Sequence, residues 1–168
     1  ELENVFVRYQ KVFTLNSIEN CKWFARVTAD NPLISVNLAI NLISKINPKL
    51  DYIAYKKQIP NGSGIELINK DTFLSINSKD LDHIQKEHVT PIFYENPENF
   101  NSLFVIPPEF YNISNLRITI DYKEDYQLLK NLFAIKNSIS LEEVIEIFNK
   151  DASLFNLNKH CSQNNLRE

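Results

Sequence analysis

Short apolar runs of strand length alternate along this chain with segments whose apolar residues recur at helical spacing. Trp23 to Thr28, Tyr52 to Tyr55, Ile65 to Ile68, Leu103 to Ile106 and Leu116 to Ile120 read as strands. Residues 2–15 place Val5, Tyr9, Val12 and Phe13 on one helical face, and Asn16, Ser17 and Asn20 mark the turn that follows. Ser35 is placed to cap a helix carrying Val36, Leu38, Ile40, Leu42, Ile43 and Ile46. Asn69 or Asp71 begins a short helix, and Asp80 to about His88 forms another, with Pro91 forcing a restart near Thr90. Lys123 to Phe133 is helical, and Ser140 with Glu143 makes a capping box for Leu141 to Asn149. This order predicts an α/β domain built on a mixed sheet flanked by helices.

Composition narrows the classes. A length of 168 residues suits one domain, and 43% hydrophobic with 23% charged residues is globular rather than disordered. No apolar run approaches the roughly 18 residues of a membrane helix. A net charge of -3 disfavours a broad nucleic-acid-binding surface. Cys21 and Cys161 make no disulfide framework, which suits a reducing cytoplasm. With two glycines in all, a Gly-rich phosphate loop of the Walker or Rossmann kind is excluded. Both glycines fall in the loop 58–64, which is expected to be the most flexible of the chain. A first residue other than Met implies a processed, truncated or trimmed product. Residues 157–168 are polar and read as a frayed tail, leaving 1–156 as the domain.

Ligands of open α/β sheets bind beyond the carboxyl ends of strands. Asp30 and Asp121 stand there, and two such carboxylates suit Mg²⁺ with phosphate oxygens and water. Each also has a structural reading. Asp30 before Asn31-Pro32 can form an Asx turn, and Asp121 with Glu124 can form a capping box. Arg26 and Arg117 each lie within a strand and need anionic partners, either these aspartates or a ligand's phosphate or carboxylate. Glu87 and His88 can serve acid–base chemistry or simply sit on a helix surface. His83 and His88 lie about 140° apart around a helix, so they share no metal face. His160 beside Cys161 carries a minimal metal-ligating signal.

Five stretches in order resemble a known family: NVFVRY from Asn4, RVTADNPLI from Arg26, IPNGSGIELI from Ile59, EHVTPIFYENP from Glu87 and LRITIDYKEDYQLL from Leu116. Together they are similar to cytidylyltransferases of the spore coat polysaccharide biosynthesis protein F type, relatives of the CMP-Kdo and acylneuraminate cytidylyltransferases. The resemblance implies a nucleotide-diphosphosugar-transferase-like fold. It also implies transfer of CMP from CTP to an acidic sugar with release of pyrophosphate, in the cytoplasm, for surface polysaccharide synthesis. It implies that Asp30 and Asp121 bind Mg²⁺ and that Arg26 and Arg117 support the site from below. Glu66 and the loop holding Asn61, Gly62 and Gly64 would face the sugar, and Glu87 and His88 would line or brace it. A homodimer is the assembly common among such relatives.

Ala29 departs from the family's Gly before the aspartate, and Lys123 stands where Pro is frequent. The resemblance places the chain in the carboxy-terminal two-thirds of the family, without the strand and Arg/Lys loop that grip the CTP phosphates. Two other readings therefore stand beside the enzyme. One is a truncated, non-catalytic relative acting as a binding or assembly partner. The other is a related sugar-nucleotide glycosyltransferase.

Overall fold

The computed structural model describes residues 4–14, 20–56 and 58–162. Residues 2, 3 and 15 of the expected first helix, Asn16 and Ser17 of its turn, and the end of the polar tail lie outside the described residues.

Four strands form one mixed sheet in the order β1-β3-β2-β4: β1 Trp23–Arg26, β2 Tyr52–Tyr55, β3 Glu66–Asn69 and β4 Ser102–Val105. β3 pairs antiparallel with both β1 and β2, and β4 runs parallel to β2. Every residue of β2 is buried, as a central strand covered on both faces requires. Side chains alternate between two apolar clusters. Ile53 and Tyr55 enter one with Leu67, while Tyr52 and Ala54 enter the other with Ile68.

The first cluster is covered by α2 Val36–Ile43, α6 Lys123–Ile135 and α7 Leu141–Lys150. The second is covered by α1 Val5–Val12, α3 Lys70–Ser75 and α5 Pro91–Glu95, and Leu81 and Val89 enter it from either side of α4 His83–His88. The result is the expected sheet with helices on both faces.

Local signals set most helix ends. Ser35 accepts from Leu38 N–H at 3.2 Å, and Asn69 accepts from Asp71 and Thr72 N–H. Ser140 and Glu143 form the reciprocal box. The fourth helix is shorter than expected because Asp82, not Asp80, caps it through Gln85. It stops at Val89, whose φ is 71°, and Pro91 opens α5. Of the apolar positions on α2, Leu38 and Leu42 are buried, whereas Val36, Ile40 and Ile43 are exposed.

Three expectations need correction. Leu116 to Ile120 is extended but joins no named strand. It makes one parallel bridge, Arg117 to Asn61, and Ile120 N–H then donates to Asp30 O at 2.9 Å. The loop 58–64 is packed rather than flexible, with Pro60, Gly62 and Ser63 buried. Asn158, assigned to a frayed tail, is buried just after a 3-10 helix over Ala152–Leu157. Among the described residues no helix is long and apolar enough to cross a membrane.

Candidate active site

The extended segment 116–121 organises the candidate site. Asn61 N–H donates to Leu116 O at 2.8 Å, and Ile118 N–H donates to Asn61 O at 2.7 Å. Gly62 follows at φ 97°, and a Cβ there would lie 2.4 Å from Thr119 N. This close approach of two backbones is open to glycine alone. Gly64 has no such constraint, its nearest neighbour being Ile59 Cδ1 at 3.9 Å.

Arg117 is 8% exposed and is gripped from two sides. Its Nε donates to Asp125 Oδ1 at 2.9 Å, and its Nη2 donates to Asp125 Oδ2 at 2.8 Å and to Asp121 Oδ2 at 2.6 Å. The Tyr122 ring lies 5.5 Å from the guanidinium. Asp125 is fully buried and also accepts from Asp121 N–H, Tyr122 N–H and Asn158 Nδ2. Burial alone would raise its pKa, but the hydrogen bonds from Arg117, Asn158 and the backbone outweigh it and hold it near 2. The cap of α6 thus comes from Asp125, not from the expected pairing of Asp121 with Glu124. Asp121 keeps a 41% exposed carboxylate aimed by Arg117.

Asp30 does not close an Asx turn. Thr28 and Asn31 close that turn through Asn31 N–H to Thr28 O and Asn31 Nδ2 to Thr28 Oγ1. Asp30 Oδ1 is left buried with no hydrogen-bond partner, as is Arg26 Nε four residues earlier. A buried carboxylate oxygen without a partner is costly unless a cation or donor meets it. Ala29, where the family has Gly, is exposed and has no positive φ, so that departure needs no special backbone. Lys123 is 91% exposed in the first turn of α6, where either Lys or Pro is tolerated.

A second polar group lies on β1, β2 and β3. Arg26 stands directly opposite Glu66 in the register and donates to its Oε2 at 2.6 Å. Tyr52, on the diagonal from Glu66, donates to Oε1 at 2.5 Å. Burial and the neighbouring Glu66 carboxylate push the Tyr52 phenol well above its usual pKa, so it remains a donor. Tyr52 stacks on Phe93 at 5.3 Å, and Phe93 comes from the segment EHVTPIFYENP. That segment therefore helps to aim Glu66.

The structure thus brings Asp30, Asn61, Gly62, Arg117 and Asp121 around one segment, and joins Arg26 to Glu66 across the paired strands β1 and β3. It does not bring Glu87 and His88 into either group. They lie on α4, which packs on α1, with Glu87 exposed and His88 half-buried. Sequence reasoning missed Tyr52, Asp125 and Asn158. Asp125 lies within the stretch LRITIDYKEDYQLL beside Glu124, which shares its capping spacing, whereas Tyr52 and Asn158 carry no local signal.

The pattern of the Cytidylyltransferase family matches residues 1–166 of this chain. An uncharacterized protein of Methanocaldococcus jannaschii is 31% identical over 147 residues, which are 85% of this chain and 60% of that protein. The spore coat polysaccharide biosynthesis protein SpsF of Bacillus subtilis is 29% identical over 131 residues, covering 75% of this chain and 54% of SpsF. The fold matches a solved cytidylyltransferase of Leptospira borgpetersenii with a TM-score of 0.79 at 22% identity, over 97% of this chain and 68% of that one. The chain therefore spans little more than half the length of the curated relatives it matches, while the family pattern runs through nearly all of it.

Proposed function

The chain belongs to the cytidylyltransferase family, and from that premise we propose that it carries the metal-binding and acceptor side of a site that transfers CMP from CTP to an acidic sugar. The observation that carries this reading is the unpartnered, buried Oδ1 of Asp30, whose backbone is hydrogen-bonded to the segment bearing Asp121. Hard carboxylate oxygens of this kind fit Mg²⁺, and Asp30 with Asp121 would hold it. When bound, the ion neutralises charge on the phosphates, the main electrostatic need of phosphoryl transfer.

The chain's own residues do the positioning. Asp125 fixes Arg117, and Arg117 aims the Asp121 carboxylate. Tyr52 and Arg26 hold the two oxygens of Glu66, leaving further lone pairs for hydroxyls of a sugar. Asn61 and Gly62 keep the loop pressed on residues 116–119. The sugar hydroxyl is the nucleophile, in line with the leaving pyrophosphate. Surface polysaccharide synthesis in the cytoplasm is part of the proposal, supported by likeness to SpsF.

The test is pyrophosphate release by the protein carrying this chain, supplied with CTP, Mg²⁺ and an acidic sugar. Asp30→Asn and Asp121→Asn are each expected to abolish it while the protein stays folded. Unchanged turnover in both would overturn the metal assignment.

One observation favours the non-catalytic alternative. Both site arginines are already paired with carboxylates. Isothermal titration with CTP separates the two readings. Saturable binding supports the enzyme, and its absence from the complete protein supports a binding or assembly partner.

A further inference from the structure

The cleft beside Asp121 contains donor atoms that transfer of CMP does not use. It has a volume of about 680 Å³ and is lined by residues 121–124 and 160–162. Glu124, His160 and Cys161 each present a ligating atom there, and the three atoms lie within 4.8 Å of one another. We propose that these three side chains bind a thiophilic divalent cation of the zinc class.

The donor set selects the ion. A thiolate sulfur and an imidazole nitrogen with one carboxylate oxygen suit Zn²⁺, whereas Mg²⁺ takes oxygen donors. With bonds of about 2.0–2.3 Å, tetrahedral zinc sets its ligand atoms roughly 3.3–3.8 Å apart. The three atoms therefore need to close by at most about 1.5 Å from their 4.8 Å limit, within reach of side-chain rotation. Three protein ligands on an open cleft leave the fourth position to water or an incoming ligand.

The backbone on both sides is held in advance. Glu124 sits in the first turn of α6, fixed by Asp125. Asn158, two residues before His160, is buried and donates to Arg117 O and Asp125 Oδ1. Cys161 N–H then donates to Asn158 O at 2.9 Å, which turns the chain back toward α6. One buried network thus positions the two halves of the site, as a metal site requires of its support. The cation would staple the segment after the last 3-10 helix to α6, beside Asp121.

This inference rests on no step of nucleotidyl transfer, and its test reads binding alone. The chelator-stripped chain is titrated with Zn²⁺ against a chromogenic indicator, and with Co²⁺ while following the thiolate-to-cobalt absorption band. One equivalent per chain is expected, undisturbed by excess Mg²⁺. Cys161→Ser should abolish the cobalt band, and His160→Gln and Glu124→Gln should each weaken Zn²⁺ binding by about tenfold or more. Cys21→Ser, the control for the other free thiol, should change nothing. Circular dichroism confirms that each variant is folded, and His160→Gln alters an exposed side chain. Substoichiometric binding, binding indifferent to Cys161→Ser, or a band that follows Cys21 would overturn the proposal.

Discussion

Asp125 is the residue on which the candidate site's geometry turns, although no chemistry falls to it. It compensates the buried Arg117 and closes the start of α6 in one carboxylate. Asp125→Asn should therefore cost about 3 kcal/mol, the low end for a broken buried pair because Asp121 still faces Arg117; urea unfolding measures it. The same pair makes stability depend on pH. Asp125 is held near 2 in the fold, below its ordinary 3.8. Its contribution, of order 2–3 kcal/mol, is full above the unfolded pKa and lost as pH falls through the folded one. Glu142, also held near 2 because hydrogen bonds from Ser35 and Tyr111 outweigh its burial, adds to the loss in the same direction. Acid unfolding should thus steepen between about pH 4.5 and 2, and Asp125→Asn should flatten it. Substitution of Asp30 should carry no such cost in stability. Its buried Oδ1 has no partner, so Asp30→Asn should leave the melting temperature unchanged or raised while removing turnover; a marked drop would mean that the carboxylate is structural. That Asp30 and Asp121 end neighbouring extended segments was legible in the sequence, because both follow strand-like runs. The role of Asp125 was not, because Glu124 and Asp125 both have capping spacing and only the buried Arg117 selects between them.

At the scale of elements, what the sequence made legible was whatever local chemistry decides. Ser35, Asn69 and Ser140 cap where their hydroxyl or amide spacing says they must, and Pro91 starts a new helix because it has no N–H to continue the old one. Residues 116–120 looked like a strand because apolar Leu116, Ile118 and Ile120 alternate with Arg117 and Thr119, and three of the five are β-branched. Their hydrogen bonds instead go to two loops, at Asn61 and Asp30, and these partners are distant in sequence. The loop 58–64 misled for the same reason, since glycine signals backbone freedom equally in a mobile turn and at a close approach. The two glycines separate these meanings. Gly62→Ala forces a Cβ against the Thr119 backbone at a positive φ, and should cost about 2 kcal/mol or more. It should also disturb the segment carrying Arg117 and Asp121, lowering turnover beyond the effect on stability. Gly64→Ala meets only an ordinary van der Waals contact with Ile59 Cδ1 at 3.9 Å and should stay within about 0.5 kcal/mol of the parent. Equal effects at both positions, measured by denaturant midpoints, would show that the packed loop is not what holds residues 116–119.

On the scale of the whole molecule, one sheet separates two apolar clusters, and the candidate site is closed by chain from both ends. Arg26 ends β1 and Asp30 follows it, while Asn158 returns to Arg117 and Asp125 from beyond α7. The alternation of strands and helices made the sheet and its two helical layers legible. It could not show that the polar end of the chain folds back, because Asn158 carries no apolar periodicity and its partners lie 33 and 41 residues away. That return gives the last prediction. Asn158→Ala removes two buried hydrogen bonds, those to Arg117 O and Asp125 Oδ1, so it should cost about 1–3 kcal/mol. A residue in a loose tail would cost about nothing. Since the lost bonds lie against the first cluster, the cost should appear as destabilisation of the whole domain rather than local fraying. Fluorescence of the single Trp23, which packs on that cluster from the far side of the sheet order, should then shift together with far-UV circular dichroism in one transition. If Asn158→Ala moves neither midpoint, the carboxy-terminal segment is not part of the cooperative unit, and the support claimed for Arg117 must come from Asp125 alone.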